Sequence, residues 1–299
     1  MSGQGDAGGE ENSGKGYVMD RSALSAFAKQ AGADVFGVAN IERFDELPPE
    51  KHPQTIFPET KSVIVLGRRI TRGTLRGVEE GTNFTDYAFY GCNWLDDRFV
   101  AMTTYRVAEF IEDAGWEAVP LPNLPPEVPP MGVAVRPDQP PPNVMLDFDD
   151  AAVRAGLGEI GYCGVLLTPQ FGPRQRIQII LTDAEIEPTP ILDEPIDPRT
   201  DQSKGFCPLG AFIGEKELSI CGKTMTVAEI DYRKCADCRN GAMPNRHHLA
   251  GKPDRLAAVC VRSCMDYLEK AGRLEGRFSQ PFRKRDPWIV KEDIDFYKV

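Results

Sequence analysis

The cysteines are the residues of this chain whose type and spacing point most directly to chemistry. Cys235 and Cys238 form a C-x2-C pair, Cys260 and Cys264 are one helical turn apart, and Cys207 precedes a proline. Iron–sulfur clusters take thiolate ligands from short turns of this kind, often with a proline after the last ligand. We therefore predict a metal site with five candidate ligands for four positions: Cys207, Cys235, Cys238, Cys260 and Cys264.

A structural zinc ion is the main alternative at these cysteines. Zinc accepts four thiolates or a mixture of thiolates and imidazoles, and His247 and His248 follow Cys238 closely in the chain. Spacing alone does not separate the two sites. Cys221 is a further candidate in the same third of the chain, whereas Cys92 and Cys163 stand apart from the others.

A glycine-rich segment is the second pattern. Residues 155–183 read AGLGEIGYCGVLLTPQFGPRQRIQIILTD, and closely spaced glycines permit positive φ angles and a close approach of backbone to a large ligand. Gly156, Gly158 and Gly161 match the letters of a dinucleotide-binding fingerprint, but Pro169 closes the stretch where a long helix is required. Tight turns between core elements are the structural alternative.

Composition narrows the function classes. The chain has 299 residues, 41% apolar and 27% charged, and a net charge of −10, which argues against a broad nucleic-acid surface. No apolar run reaches the length of a membrane span, and residues 1–16 are rich in Gly, Ser and Glu without an apolar core. We expect a disordered leader over 1–16, a cytoplasmic location, and no membrane or nucleic-acid partner.

The elements that must position these residues suggest an α/β protein. Helices are predicted over 21–32, 94–115, 148–155 and 253–272, and strands over 34–41, 62–66, 116–121 and 176–183. The proline-rich stretches 47–60 and 120–142 are predicted loops. We expect an α/β (α+β) domain over 17–190, followed by a cysteine-bearing region over 191–299.

Segment 155–183, followed by Cys207-Pro-Leu-Gly-Ala, resembles the reductive dehalogenases and the related epoxyqueuosine reductases. The resemblance runs from about Asp34 to Asp266. It implies a nitroreductase-like corrinoid-binding domain with a C-terminal ferredoxin-like iron–sulfur region, and an oxidoreductase that uses cobalamin and one [4Fe–4S] cluster. It also implies a small-molecule substrate and a cellular electron donor such as ferredoxin or flavodoxin.

The resemblance also assigns roles to individual residues. A tyrosine assisted by an arginine would deliver a proton, and the candidates for this pair are Tyr87, Tyr90 and Tyr162, with Arg174 or Arg176. The corrinoid would lie against residues of the glycine-rich segment and the end of the preceding loop: Asn143, Gly156, Leu157, Gly158, Glu159, Gly161, Thr168, Pro169, Gly172, Leu181 and Thr182.

Three departures from the family pattern qualify this reading. Of the C-x2-C-x2-C-x3-C-P run only Cys207-Pro208 is present, which implies one cluster in place of two. Pro142 stands where the epoxyqueuosine reductases carry a catalytic aspartate, with Asp147 and Asp149 closer to the glycine-rich segment. A twin-arginine leader is missing. A shortened cytoplasmic reductase is therefore expected; a corrinoid-handling protein without turnover and a zinc-stabilised binding module remain alternatives.

Overall fold

The structure is a computed structural model that describes residues 19–197 and 202–288. The predicted leader over 1–16 lies outside the described residues. The strands are β1 Val35–Asn40, β2 Ser62–Arg69, β3 Ala118–Leu121, β4 Glu159–Ile160, β5 Leu166–Leu167, β6 Gln175–Thr182, β7 Phe212–Ile220 and β8 Lys223–Ile230. The α-helices are α1 Arg21–Gln30, α2 Pro53–Ile56, α3 Arg76–Glu80, α4 Ala101–Asp113, α5 Phe148–Arg154, α6 Gln202–Gly205, α7 Tyr232–Ala236 and α8 Val259–Lys270.

A four-stranded antiparallel sheet carries the first part of the chain, in the order β1-β2-β6-β3. Successive side chains of a strand point to opposite faces of the sheet. The continuous apolar run of β2 is therefore buried on both faces. Val63 and Val65 pack on the side of α5, whereas Ile64 and Leu66 pack on the side of α1 and α4. The predicted mixture of helices and sheet is confirmed.

Two predicted helices begin later than their apolar patterns suggest. The stretch 94–115 becomes regular α-helix only at α4, after two wider π-helical turns over Tyr87–Asn93 and Leu95–Val100. The stretch 253–272 becomes helical only at Val259, because residue 254 pairs as an isolated bridge with Met243. Both irregular stretches carry side chains of the sites described below, and π-helical turns occur frequently at functional sites.

The hairpin β7–β8 was not predicted from the sequence, because the last predicted strand ends at residue 183. Its turn is formed by Cys221 and Gly222, both with positive φ, as a two-residue hairpin turn of type I′ requires. Ile220, Met225 and Val227 join the core beneath the sheet. The two parts of the chain therefore share one core, and the boundary near residue 190 remains a prediction.

Among the described residues, no helix is long and apolar enough to cross a lipid bilayer.

Candidate cofactor and active site

Four cysteines line one narrow cavity, which we call the cysteine cavity: Cys207, Cys235, Cys238 and Cys260. They reach it from the turn after α6, from α7 and the turn that follows it, and from the first turn of α8. The remaining walls are mainly apolar, with Pro208, Leu209, Phe212 and Val259 among them. Cysteines separated by more than fifty residues in the sequence thus line the same cavity.

The surroundings of these thiols suit thiolate ligation. The backbone N–H of Ala211 donates to Cys207 Sγ at 3.3 Å, and Arg255 Nη2 donates to Cys260 Sγ at 3.7 Å. Burial is the main cause that raises the pKa of Cys235 to about 11. The positive charge of Arg255 opposes this rise, and the neighbouring thiols add to it. A metal cation that replaces the thiol protons would offset the negative charge of the buried thiolates, so the donor set fits an iron–sulfur cluster.

The cysteine cavity is tight, with a volume of about 10 Å³. Within residues 19–197 and 202–288, no three His, Cys, Asp or Glu side chains converge closely enough to hold a metal ion as they stand. The fit to a cluster therefore rests on the type of the donors and on their shared cavity, and the side chains must turn to meet a metal.

The structure separates the two cysteines of α8. Cys260 lines the cysteine cavity, whereas Cys264 hydrogen-bonds to Cys163. This hydrogen bond lowers the pKa of Cys163 and raises that of Cys264. Of the five predicted ligands, Cys264 is therefore the one that does not line the cysteine cavity.

The other metal candidates lie elsewhere. Cys221 is at the hairpin turn, where Arg154 Nη1 donates to its sulfur at 3.6 Å. His247 and His248 do not line the cysteine cavity, and His248 Nδ1 accepts from Ala250 N at 3.0 Å. The histidines are thus not placed for a mixed thiolate–imidazole zinc site with these four cysteines.

A large cleft adjoins the cysteine cavity. It has a volume of about 890 Å³, near the upper end of the roughly 300–1,000 Å³ typical of ligand sites. The start of β6, the hairpin, the start of α5 and residues 252–256 enclose it. Arg255 lines both the cleft and the cysteine cavity, so a ligand in the cleft would lie one side chain away from the cysteines.

At one end of the cleft, the lining residues Arg176 and Asp254 form a hydrogen-bonded group with Tyr87, which is buried and does not itself line the cleft. Tyr87 Oη donates to the Asp254 carboxylate at 3.0 Å and accepts from Arg176 Nη2 at 3.0 Å, while Arg176 also pairs with Asp254. Burial, and then the negative charge of Asp254, raise the pKa of Tyr87 well above its ordinary value. The phenol is therefore held in its protonated form, as a proton donor must be.

A second titratable group lines the cleft at the start of α5. Burial, and then the charge of Asp147, raise the pKa of Asp149 to about 7. A carboxyl with a pKa near neutrality in a cleft is a candidate acid or base. Asp147 itself accepts from the backbone N–H of Asp150 at 3.1 Å and so begins the helix.

The remaining predicted catalytic residues lie apart from this group. Tyr90 is half exposed and stacks edge-on against Trp94, and Tyr162 donates to Glu215 Oε1 at 2.9 Å. Arg174 donates to the Ile70 carbonyl at 2.9 Å and lies 3.9 Å from Glu269. Of the predicted tyrosine–arginine pairs, the structure brings together Tyr87 and Arg176.

None of the eleven predicted corrinoid-binding residues lines the cleft. Leu157, Gly158, Leu181 and Thr182 are buried in the fold; Glu159 and Gly161 line a separate pocket; Gly156, Thr168, Pro169 and Gly172 lie in turns; and Asn143 is exposed with a φ of 71°. Their neighbours in the same segment, Ile160 and 164–166, do line it.

The glycines of this segment are required by the chain itself. A Cβ atom on Gly158 would lie 1.8 Å from the Leu167 carbonyl oxygen, and one on Gly156 would lie 2.2 Å from the Pro190 carbonyl oxygen. Gly156 also has a φ of 73°, which favours glycine. The close backbone approach that the glycines allow is thus made to other backbone.

Sequence reasoning missed several residues that line the cleft, among them Asn123, Asp254 and Arg255. Asn123 follows the short strand β3, and the other two precede a helix in a segment interpreted as helical. Polar residues at an element boundary were the available signal, but they gave no indication of a shared cleft.

No family model matches the chain. It is 29% identical over 157 residues to the tetrachloroethene reductive dehalogenases of Desulfitobacterium hafniense and Dehalobacter restrictus (strain DSM 9455 / PER-K23). The match covers 52% of this chain and 22% of each of those proteins, so the aligned part is about a fifth of the relatives' length.

Solved structures extend the likeness to most of the chain. A catabolic reductive dehalogenase matches 90% of this chain with 41% of its own, at a TM-score of 0.51 and 16% identity. An epoxyqueuosine reductase from Streptococcus thermophilus matches 81% of this chain and 66% of its own at a TM-score of 0.49. The chain therefore resembles the reductive dehalogenases in sequence over half its length and shares their fold.

Proposed function

We propose that this protein is a cobalamin- and [4Fe–4S]-dependent reductase that acts on a small organic molecule. The observation that carries the proposal is the contact of two sites at Arg255: a cavity lined by four cysteines, and a cleft whose lining residues Arg176 and Asp254 bind the buried hydroxyl of Tyr87. The likeness to reductive dehalogenases supports the same reading. The nitroreductase-like and ferredoxin-like character of the two regions belongs to the proposal.

The cysteine cavity would hold the cluster through Cys207, Cys235, Cys238 and Cys260. The N–H donors from Ala211 and Arg255 would stabilise the negative charge on the ligated sulfurs. The apolar walls would limit the access of water. These features would keep the cluster close to the cleft and in a dry environment.

The cleft would hold the corrinoid. When bound, the cluster and the corrinoid would together supply single electrons to the substrate, and the protein would supply orientation and a proton. Tyr87 would donate that proton from Oη, and Arg176 would stabilise the phenolate that remains. Asp149 would be available to exchange protons with solvent near pH 7.

The electron donor and the substrate are parts of this proposal. A soluble one-electron carrier of the ferredoxin or flavodoxin type would reduce the cluster. The exposed side of the cysteine cavity, at Leu209 and Lys234, would face such a carrier.

Metal and cofactor analysis tests the proposal. Protein purified without oxygen, reconstituted with iron and sulfide and then incubated with hydroxocobalamin, is expected to retain four irons and one cobalt per chain. Its absorption spectrum should show both groups. Protein that contains zinc without iron or acid-labile sulfide, or that leaves hydroxocobalamin free, would refute it. Bound cobalamin without bromide release from a brominated phenol would favour a corrinoid-handling protein.

A further inference from the structure

A smaller cavity continues from the cleft past Arg176 and Asp254. This side cavity has a volume of about 200 Å³ and extends to Cys92, Asp96 and Arg246. Asn123, Arg176, Lys252 and Asp254 line both spaces, so the two cavities adjoin each other. A ligand in the side cavity would touch the two residues that hold the phenol of Tyr87.

Asp96 is the unusual group in the side cavity. Its side chain is about nine-tenths buried, and Oδ2 accepts from Arg246 Nη2 at 3.0 Å. Its other oxygen, Oδ1, is buried and has no hydrogen-bond partner among the residues that the structure describes. Buried polar atoms without a partner are rare in native proteins, and a bound ligand is one reason for them.

The π-helical turns explain why Asp96 is buried there. Tyr87, Cys92 and Asp96 are the buried polar members of these turns, spaced by five and four residues. Hydrogen bonds from each residue to the fifth before it bring residues five apart to one side. The first of the two turns thus presents Tyr87 to Asp254, and the second presents Asp96 to the side cavity.

The side cavity is lined by three cations, Arg176, Arg246 and Lys252, and by three carboxylates, Asp96, Glu127 and Asp254, so its charges are balanced before any ligand binds. Arg176 is paired with Asp254, and Arg246 is paired with Asp96 and Asp97. An anionic ligand would compete with these carboxylates for the guanidinium groups. An apolar ligand would leave Asp96 Oδ1 unpaired, whereas an uncharged hydroxyl would donate to it without disturbing the balance.

We propose that the side cavity is the substrate subsite of the proposed reductase and selects a small organic molecule with an uncharged hydroxyl, which donates its hydrogen bond to Asp96 Oδ1. The inference rests on the proposed function. It distinguishes this chain from the relatives named for tetrachloroethene, because that molecule has no hydrogen-bond donor.

Two probes that differ only at the donor test the selection. Meta-bromophenol carries a hydroxyl that stays protonated at pH 7, since a phenol has a pKa of about 10. Meta-bromoanisole has a methyl group on the same oxygen. The holoprotein is expected to bind the phenol about tenfold more tightly, the equivalent of one hydrogen bond, when binding is followed by ligand-observed NMR without turnover.

Matched variants locate the effect. Asp96→Leu is expected to abolish the preference for the phenol, whereas Asp97→Leu is expected to keep it. Asp97 pairs with the same arginine but is exposed and does not line the side cavity. The comparison of the two probes on the unaltered protein stands even where Asp96→Leu does not fold.

Equal binding of the two probes to the unaltered protein, binding of neither, or an unchanged preference in Asp96→Leu would overturn the inference. These outcomes leave the proposed reductase intact, because its own test is the iron and cobalt content. A protein without iron and cobalt that still prefers the phenol would fail the proposed function and keep the hydroxyl subsite.

Discussion

The cysteine cavity and the cleft meet at Arg255 but are built in different ways. The cysteine cavity takes all four sulfurs from residues 207–260, on short helices and turns, and is narrow and mostly apolar. The cleft takes its walls from segments scattered between residues 51 and 256 and mixes charged with apolar side chains. The proposed cluster site draws its ligands from residues 207–260, whereas the proposed corrinoid site draws on segments from most of the chain. Substitutions should therefore affect the two regions differently.

The largest effect is expected at the ligands of the cysteine cavity. Cys260→Ser should lose most of the iron and sulfide, because it removes one of four thiolates, while Cys264→Ser should retain them. The measurement is iron and acid-labile sulfide per chain after anaerobic reconstitution. The two variants change the same atom on one helix, four residues apart. Equal loss in both would contradict the assignment of Cys260.

Next to the cleft, the substitution Tyr87→Phe removes the proposed proton donor and keeps the aromatic ring. Turnover should fall by about 10²–10⁴, the usual contribution of a general acid, while iron and cobalt content stay unchanged. Tyr162→Phe is the matched control, since its hydroxyl bonds a glutamate outside the cleft. Bromide release from a brominated phenol under reducing conditions measures the effect. Full activity in Tyr87→Phe would make Asp149 the remaining candidate acid.

Arg255 lines both the cysteine cavity and the cleft, and its substitution should change the redox potential of the proposed cluster. Arg255→Met removes a buried cation next to Cys260 and should shift the midpoint potential of the cluster to more negative values, because reduction adds negative charge nearby. Lys234→Met also removes a cation from the wall of the cysteine cavity, but an exposed one, and should shift it less. A redox titration followed by EPR compares the two. Identical midpoint potentials in the two variants would contradict a special influence of Arg255 on the cluster.

The smallest effect concerns stability and pH. Because the pKa of Asp149 is raised to about 7 in the folded protein, the folded state binds more protons than the unfolded state between about pH 4 and pH 7. The free energy of unfolding should therefore contain a contribution that falls as the pH rises through this window. Asp149→Asn should lack it, and Asp113→Asn, at an exposed position of α4, should keep it. Urea unfolding at pH 5 and pH 8 measures the difference; equal slopes in the variant and the unaltered protein would contradict the pKa shift.

The same contrast explains how much could be predicted from the sequence. Ligand cysteines follow short spacing rules, so the set that meets in the cysteine cavity was contained in the predicted five, and only the choice between Cys260 and Cys264 needed the structure. The orientation of a side chain on α8 decides that choice, and spacing by one helical turn leaves it open.

The cleft was predicted only in part. Tyr87 and Arg176 were among the candidates, but their pairing depends on Asp254, which lies 78 residues further along the chain from Arg176. The eleven residues of the predicted corrinoid contact came from a motif whose glycines serve backbone packing. The hairpin that forms one wall was missed because β7 contains a glycine and three consecutive charged residues, which interrupt the alternation of a strand, and because its Cys-Gly turn does not resemble the usual Asn-Gly signal.

The central claim is that the two sites exchange electrons through a short contact, and magnetic coupling tests it most directly. The paramagnetic cobalt(II) form of cobalamin, bound to the reconstituted protein, is measured by EPR before and after reduction of the cluster to its paramagnetic state. Faster relaxation and broadening of the cobalt signal on reduction of the cluster are predicted, and they should be absent in Cys260→Ser. An unchanged cobalt signal in a protein loaded with both groups would contradict the account.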